Sequence, residues 1–520
     1  MSKYIMAIDA GTGSIRSIIF DESFNQVAVA SEEWTHKEDP RYEGAIDFDV
    51  AYNTTLLFKT IDDVLTSSKI EPNDIVAIST SSMREAFVLY DENKEEIWAV
   101  SNVDARAIKE VVELQSLENQ IEEDIYMLSG QTFALGAIPR LLWVKNNQPQ
   151  IYEATRYITM LNDWLTYKLT GILSVEPSNG STTGMINTKT RTWDDTLITR
   201  CGLKDNMYPE VLESGTTVGT ISEAFARTTG INKDCIVAVG GGDVQLGCLG
   251  VGVVEDKEAA LLGGSFWQLE YNTATPSLKE DIKIRVNCHA AKDLWQQELI
   301  AFYPGLVLRW FRDTFCRYEV EQAKILNTSP FDILNEAAKD VPVGSNGVLC
   351  SFSSVMDYKE WKHPAPCFTN FGIDPEKYNT ATFYRAILEN SALVTLGHKK
   401  IIENTFGTFP NEITFASGAS NSPLWCQIVS DVLGVTVKVP KIKEATALGA
   451  AFCAGYAAGL IDNLTSDVKK YIEIETTYHP NQDNHQKYQE IFENWQQLST
   501  AQNVNSATGF LNYMWKAPGV

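Results

Sequence analysis

The sequence predicts an α/β protein of two sheet-based domains that flank a cleft, and three observations lead there. A strand from Tyr4 to Ile8 passes through Asp9 into the turn Gly11-Thr12-Gly13-Ser14, and a second strand, Ile15 to Phe20, returns at once. The second half of the chain repeats that form: Ala259 to Leu262 enters Gly263-Gly264-Ser265, and Phe266 to Tyr271 returns. At 520 residues the chain also exceeds one ordinary hydrophobic core. Two domains are therefore expected, residues 1–250 and 251–520, with Gly250 and Gly252 marking a hinge.

The remaining elements follow from apolar patterning and its punctuation. Short strands are expected at Ile75 to Ser79, Ala86 to Tyr90 and Ile97 to Ser101, the last two joined by the turn Asp91 to Lys94. Ala105 to Gln120, Ile138 to Asn146 and Ile158 to Leu169 pattern as helices, the third stopped at Gly171. Cys235 to Val239 is a buried strand that ends on Gly240-Gly241-Gly242-Asp243, before a helix of small residues from Val244 to Leu249. Further on, Glu412 to Ala416 is a strand entering Ser417-Gly418-Ala419-Ser420, followed by a helix over Pro423 to Leu433. Val435 to Val439 is a strand, and Ala445 to Gly459 is a helix whose many Ala and Gly residues suit close packing.

Composition narrows the partners. Apolar residues make up 44% and charged residues 21%, as in ordinary globular chains. A net charge of −24 argues against nucleic acid or an anionic membrane as partner. A nucleotide stays compatible, because Mg²⁺ and a local Arg reverse the field inside one cleft. No apolar run reaches the length of a membrane span, and the N-terminus lacks a signal-peptide pattern. Nine cysteines without a C-x-x-C pair point to reduced thiols in a cytoplasmic protein, and six scattered histidines suggest no zinc site.

Four stretches carry residue types suited to chemistry. In the opening turn, glycines let backbone N–H groups approach an anion and take φ > 0 without strain, Thr12 and Ser14 add hydroxyls, and Asp9 is placed to hold a hydrated divalent cation. Asp243 stands at a strand end where α/β sheets place ligands, with three glycines before it to clear space. A carboxylate there serves as a general base for an attacking hydroxyl, or more simply as the N-cap of the next helix. Arg84-Glu85 and Asp104 offer donors and acceptors for a small polyhydroxy compound, the plainer alternative being solvated ion pairs. Ser417 to Ser420, between strand and helix, can admit a nucleobase or phosphate against backbone. Neither a G-x-x-x-x-G-K-[ST] loop nor a protein-kinase motif is present.

Together these stretches resemble the FGGY family of sugar kinases, among them glycerol, xylulose, ribulose and gluconate kinases. Asp9 to Arg16 is similar to the family's first phosphate motif, Gly240 to Asp243 to the segment of its catalytic Asp, and Phe415 to Ser420 with Leu424-Trp425 to its adenosine motif. Leu169-Thr170-Gly171 and Glu176 to Ser181 resemble signposts between them. The resemblance implies two ribonuclease H-like domains of the actin and hexokinase type, closing on Mg²⁺–ATP and an acceptor. It assigns Asp243 as base and Asp9 with Asp243 to the metal. Thr12, Gly13, Ser14, Arg16, Gly263, Gly264, Ser265, Gly418 and Ala419 fall to ATP, and Arg84, Glu85, Asp104, Trp267 and Gln268 to the acceptor.

Within the family, Ser82 to Glu85, Asn102 to Arg106, Gly240 to Gly250 and Trp515 to Gly519 most resemble members that phosphorylate the quorum-sensing signal autoinducer-2. That implies transfer to the terminal hydroxyl of linear, hydrated 4,5-dihydroxypentane-2,3-dione. Another FGGY acceptor (glycerol or a pentulose) and an actin-like nucleotide switch are the alternatives. Control by a phosphotransferase-system protein is known of glycerol kinases in the family and is conceivable here. Gly264 stands where many relatives carry Thr, and Ser417 and Ala419 where glycines are common.

Overall fold

The computed structural model describes residues 3–520 except 119, 357 and 443. Its first large sheet is made of β1 (Tyr4–Ala10), β2 (Ser14–Phe20), β3 (Gln26–Glu33), β4 (Ile75–Ser82), β5 (Thr217–Thr220) and β6 (Ile236–Gly242), in the order β5-β6-β4-β1-β2-β3. β1 runs antiparallel to β2 and parallel to β4, and β4 runs parallel to β6. The second sheet holds β7 (Ala259–Gly263), β8 (Trp267–Thr273), β9 (Arg285–Cys288), β10 (Trp295–Ala301), β11 (Glu412–Ala416), β12 (Thr436–Pro440) and β13 (Ile474–Tyr478). Its order is β9-β10-β8-β7-β11-β12-β13, with β7 antiparallel to β8 and parallel to β11. The core of each sheet is therefore the same: an antiparallel meander whose first strand continues into parallel neighbours.

A five-stranded sheet, which includes Phe87–Tyr90, Glu96–Val100 and Tyr157–Met160, is added to the first half and rests on its own apolar cluster around Phe87, Leu141 and Trp143. Here one expectation fails. Residues 158–160 are strand, with Met160 paired to Phe87, and the helix α1 spans only Leu161–Thr170. The Asp163 carboxylate accepts the Met160 N–H at 3.2 Å, which fixes the break between strand and helix. The helix expected over Ala105 to Gln120 is shorter: it spans Ile108–Gln115, residues 105–107 and 116–118 are turns or irregular, and position 119 lies outside the described residues.

Two helices cross between the halves. α2 (Asp243–Gly250) follows β6 but packs Val244 and Cys248 against Ala260, Leu262 and Ala416 of the second sheet. α3 (Ala445–Ala457) follows β12 but packs its alanines against Ile5, Ala7 and Ala77 of the first. Small residues make the exchange possible. A Cβ on Gly250 would stand 1.9 Å from the Ala445 carbonyl oxygen, and one on Gly449 would stand 2.0 Å from that of Leu246. The expected hinge glycine is thus part of a backbone-to-backbone helix crossing.

Candidate active site

The opening turn is held from behind. Trp34 Nε1 donates to the Gly11 carbonyl at 3.1 Å, the Trp34 N–H donates to that of Gly13 at 3.2 Å, and His36 Nε2 meets that of Thr12 at 2.6 Å. A trans peptide points its C=O and N–H in opposite directions, so these anchors turn the N–H groups of Thr12, Gly13 and Ser14 away from the Trp34 side. Contrary to expectation, neither Gly11 nor Gly13 takes a positive φ. A Cβ on Gly13 would meet nothing within 4 Å, so this glycine leaves open space and is not needed for the backbone conformation.

Asp9 is buried at the end of β1. Its Oδ2 accepts from Arg16 at 2.5 Å, while its buried Oδ1 has no partner among the described residues. Arg16 reaches on to Glu444 just before α3, so it ties the two halves together and lines neither large cavity.

Asp243 is the first helical residue of α2; the N-cap position belongs to Gly242. Its Oδ1 accepts the N–H of the adjacent Val244 at 2.8 Å, but it is not the N-cap, so the capping alternative fails. The three glycines before it clear no room for a ligand. A Cβ on Gly240 would lie 1.6 Å from the Thr80 carbonyl oxygen, and one on Gly241 would lie 2.7 Å from Ser178 Oγ, because β6 bulges against β4 there. Ser178 Oγ accepts the Gly242 N–H at 3.1 Å and donates to buried Glu176 at 2.7 Å, which fixes the strand end under Asp243. Desolvation, opposed by Arg84 and reinforced by the charges of Asp9 and Glu85, pushes the Asp243 carboxyl up to about 7. About a third of the side chain stays open to the cleft.

Arg84 begins a charge ladder across the cleft. Its Nε lies 3.9 Å from Asp243 Oδ1, and its NH1 donates to Glu298 Oε2 at 2.5 Å. Arg285 meets the other Glu298 oxygen at 3.3 Å and donates to Glu85 at 2.7 Å. Two arginines thus hold Glu298 below the ordinary carboxylate range, whereas burial and the Glu298 charge raise Glu270 well above it. Glu85 has a φ of 62°, a conformation side chains rarely adopt, secured by Arg285 and by Arg140 on its carbonyl at 2.8 Å. Asp104 accepts from the Ile46 N–H at 2.7 Å and from Arg106 at 2.6 Å, and Arg106 lies between the rings of Trp98 and Trp143.

These groups surround a cavity of about 710 Å³, with Thr12, Arg84, Glu85, Asp104 and Asp243 on one side and Gln268 and Arg285 on the other. A second cavity of about 440 Å³ is lined by Gly264, Ser265, Gly418 and Ala419, together with Phe331, Asn335 and Tyr384. Besides Arg16, both Trp267 and Gly263 belong elsewhere. Trp267 is fully buried, stacked on Trp425 at 4.8 Å with its Nε1 donating to Thr395 at 2.8 Å. The reason is strand alternation: Phe266 and Gln268 reach the cavity while Trp267 points into the core. Gly263 is likewise internal, where a Cβ would lie 2.8 Å from the side chains of Ala419, Phe415 and Trp267.

The sequence reading missed Arg285, Glu298, Asn102 and the 515–520 segment as cavity or ladder residues. The first two sit on strands whose patterning is unremarked, and only pairing across the sheet brings them to Arg84 and Glu85. For 515–520 the one signal was Trp515 to Gly519, which resembled relatives without suggesting a place.

The profile of the FGGY carbohydrate kinase N-terminal domain matches residues 4–250, and that of the C-terminal domain matches residues 275–458. The chain belongs to the FGGY family of carbohydrate kinases. It is 43% identical over 99% of its length to the autoinducer-2 kinase of Salmonella choleraesuis (98% of that protein covered). It is 42% identical over its whole length to that of Photorhabdus laumondii, again with 98% covered. Among solved structures, xylulose kinase from Lactobacillus acidophilus superposes with a TM-score of 0.83 at 22% identity, covering 96% of this chain and 98% of the other. Plasmodium falciparum glycerol kinase with ADP gives 0.81 at 19%, with 96% and 98% covered. The architecture is the two-domain actin and hexokinase type, and the chain is a kinase acting on a hydroxyl group.

Proposed function

We propose that the protein transfers the γ-phosphoryl group of ATP to the terminal hydroxyl of autoinducer-2, the linear, hydrated 4,5-dihydroxypentane-2,3-dione, in the cytoplasm. The observation that carries this is 43% identity, sustained over 99% of the chain, to proteins bearing that activity in their name. The larger cavity supports it chemically. Arg84, Gln268 and Asn102 supply donors, and Asp104 and Glu85 supply acceptors, for a short chain dense in hydroxyl groups.

The nucleotide would occupy the second cavity, its phosphates running past Ser265 toward the N–H groups of Thr12, Gly13 and Ser14. Mg²⁺ fits this donor set, since the ion keeps several waters and takes one or two carboxylates, and Asp9 Oδ1 is a buried oxygen without a partner among the described residues. Bound through Asp9 and Asp243, it would neutralise charge on the β- and γ-phosphates. Asp243, whose carboxylate lines the cavity, removes the acceptor's hydroxyl proton as that oxygen bonds to the γ-phosphorus. The bond from phosphorus to the bridging oxygen breaks, ADP leaves, and the proton remains on Asp243 until release. Arg84, whose Nε lies 3.9 Å from Asp243 Oδ1, puts a cation beside the base where negative charge gathers.

The test is ADP release with Mg²⁺–ATP and each of the dione, glycerol, xylulose and ribulose. Strong preference for the dione is expected. Preference for a polyol or pentulose would keep the mechanism and discard this acceptor. Silence with every acceptor despite ATP binding would favour a nucleotide switch.

A further inference from the structure

The acceptor cavity has a wall that neither sheet supplies. Residues 515–520 run across it and touch both halves. On one side, Trp515–Lys516 forms a short ladder with Lys362–His363, the Ala517 N–H donates to the Trp361 carbonyl at 2.9 Å, and Trp515 meets Phe302 edge-on at 4.3 Å. On the other side, Gly519 sits against the helix Ile108–Gln115 of the first half. A Cβ there would lie 2.5 Å from Val111 Cβ and 3.0 Å from the Ile108 carbonyl oxygen, and the φ of 77° is itself one that side chains rarely adopt. Only glycine satisfies both conditions.

The cavity lining is mixed: beside its charged residues stand Val103, Ile108, Val112, Leu135, Phe266 and Trp515, and the last of these belongs to the segment. Ala517 and Val111 anchor the segment in buried surface, whereas Val103, Ile108 and Val112, which line the cavity beside it, are each more than 40% exposed, so the segment borders open cavity wall as well as core.

We propose that residues 515–520 are the specificity-determining wall of the acceptor site, clasped onto the Ile108–Gln115 helix through Gly519 so that the cavity accepts a short acceptor and rejects others. The inference rests on the larger cavity being the acceptor site, as proposed above. It does not require the acceptor to be the dione.

The experiment uses the full chain and whichever acceptor the parent protein phosphorylates. Failure of the parent to use the dione would overturn the acceptor assignment alone and leave this test intact. Gly519→Val releases the clasp without touching either sheet. Its acceptor KM is expected to rise about tenfold or more, with loss of discrimination among the acceptors of the panel, while the KM for ATP stays within about twofold. Trp515→Ala, which loosens the other anchor, should act in the same direction. Amide hydrogen exchange at 517–520, slow in the parent, should become fast in Gly519→Val. Unchanged acceptor KM and selectivity in both variants would overturn the proposal, and so would protection of 517–520 that survives Gly519→Val. A lowered melting temperature with unchanged acceptor kinetics would assign the segment a purely structural role.

Discussion

The two hairpins that open the two sheets share a backbone plan and differ in the side chains beside their turns. In the first, the last paired residues before the turn are Ala10 and Ile15, and one rung back Asp9 faces Arg16. In the second, Gly263 and Trp267 close the turn, and one rung back Leu262 faces Gln268. The same position thus carries a buried acid with a spare oxygen in one copy and a buried leucine in the other. The parallel neighbours diverge in step: β4 leads to Arg84 and Glu85 at the acceptor cavity, and β11 leads to Gly418 and Ala419 at the second cavity. Duplication supplied the frame twice. Chemistry was then divided between the copies by single side chains at strand ends.

The sharpest way to break this picture is at Asp243, the first helical residue of α2, whose counterpart at the first helical position of α3 is Ala445. Asp243→Asn should lower turnover by about 10²–10⁴-fold with ATP affinity within a few-fold, measured by coupled ADP release and calorimetry. Retention of a tenth of the parent rate would remove Asp243 as the base. Next is an exchange between the hairpins. Asp9→Leu, which gives the first copy the second copy's residue, should cut turnover by about 10²-fold and weaken the dependence on Mg²⁺. Leu262→Asp should instead leave a buried, unpaired carboxyl and cost about 2–4 kcal/mol in denaturant unfolding, with no new activity. Equal effects of the two substitutions would mean that the copies are not specialised at this rung.

A smaller effect is the pH dependence. In the metal-free chain the Asp243 carboxyl is raised to about 7, and Mg²⁺ bound through it would draw that value down, so turnover per acceptor encounter should fall with falling pH at a midpoint below 7. Stability runs the opposite way. The folded chain holds this proton more tightly than the unfolded chain does, so Asp243's contribution to stability is present below about pH 4 and is lost as pH rises through 7. Asp243→Asn should therefore melt higher than the parent at pH 8 and nearly level with it at pH 4. The reverse pattern would show that the carboxylate form is the one the fold prefers.

What the sequence made legible follows from which interactions are local. The hairpins, the strand before Asp243 and the helix Pro423–Leu433 announce themselves through short-range patterning, and the structure contains each of them. Trp267 was misplaced because alternation in β8 depends on knowing which residue starts the strand, and a one-residue shift exchanges cavity for core. Arg285 and Glu298 were invisible because neither has a chemical neighbour in sequence; their partners Glu85 and Arg84 lie 200 and 214 residues away. The exchange of α2 and α3 between the sheets was equally hidden, since it depends on a glycine crossing and on no periodicity that either helix shows alone.

The smallest expected effect tests how each copy leaves its central parallel strand. Both exits contain a non-glycine residue in positive-φ backbone: Glu85 at 62° after β4, and Ser417 at 75° after β11. At Glu85 the strain is matched by use, since the side chain binds Arg285 and faces the acceptor cavity. At Ser417, with a ψ of −173°, the backbone lies in territory that glycine alone takes freely, and among the described residues its bonds run to its carbonyl alone, from the N–H and the hydroxyl of Ser420. Such a conformation costs about 1–3 kcal/mol for a side-chain-bearing residue, and glycine's extra unfolded-state entropy offsets about 0.5–1 kcal/mol of any relief. Ser417→Gly should therefore stabilise the protein by roughly 1 kcal/mol, a melting shift of about 2 °C, without changing turnover. Glu85→Gly relieves the same kind of strain but strands Arg285 beside the cleft, so it should lose stability and raise the acceptor KM together. If both substitutions stabilise and neither touches KM, the ladder from Asp243 to Glu85 is scaffolding, and the acceptor is held by Asp104 and Gln268 without it.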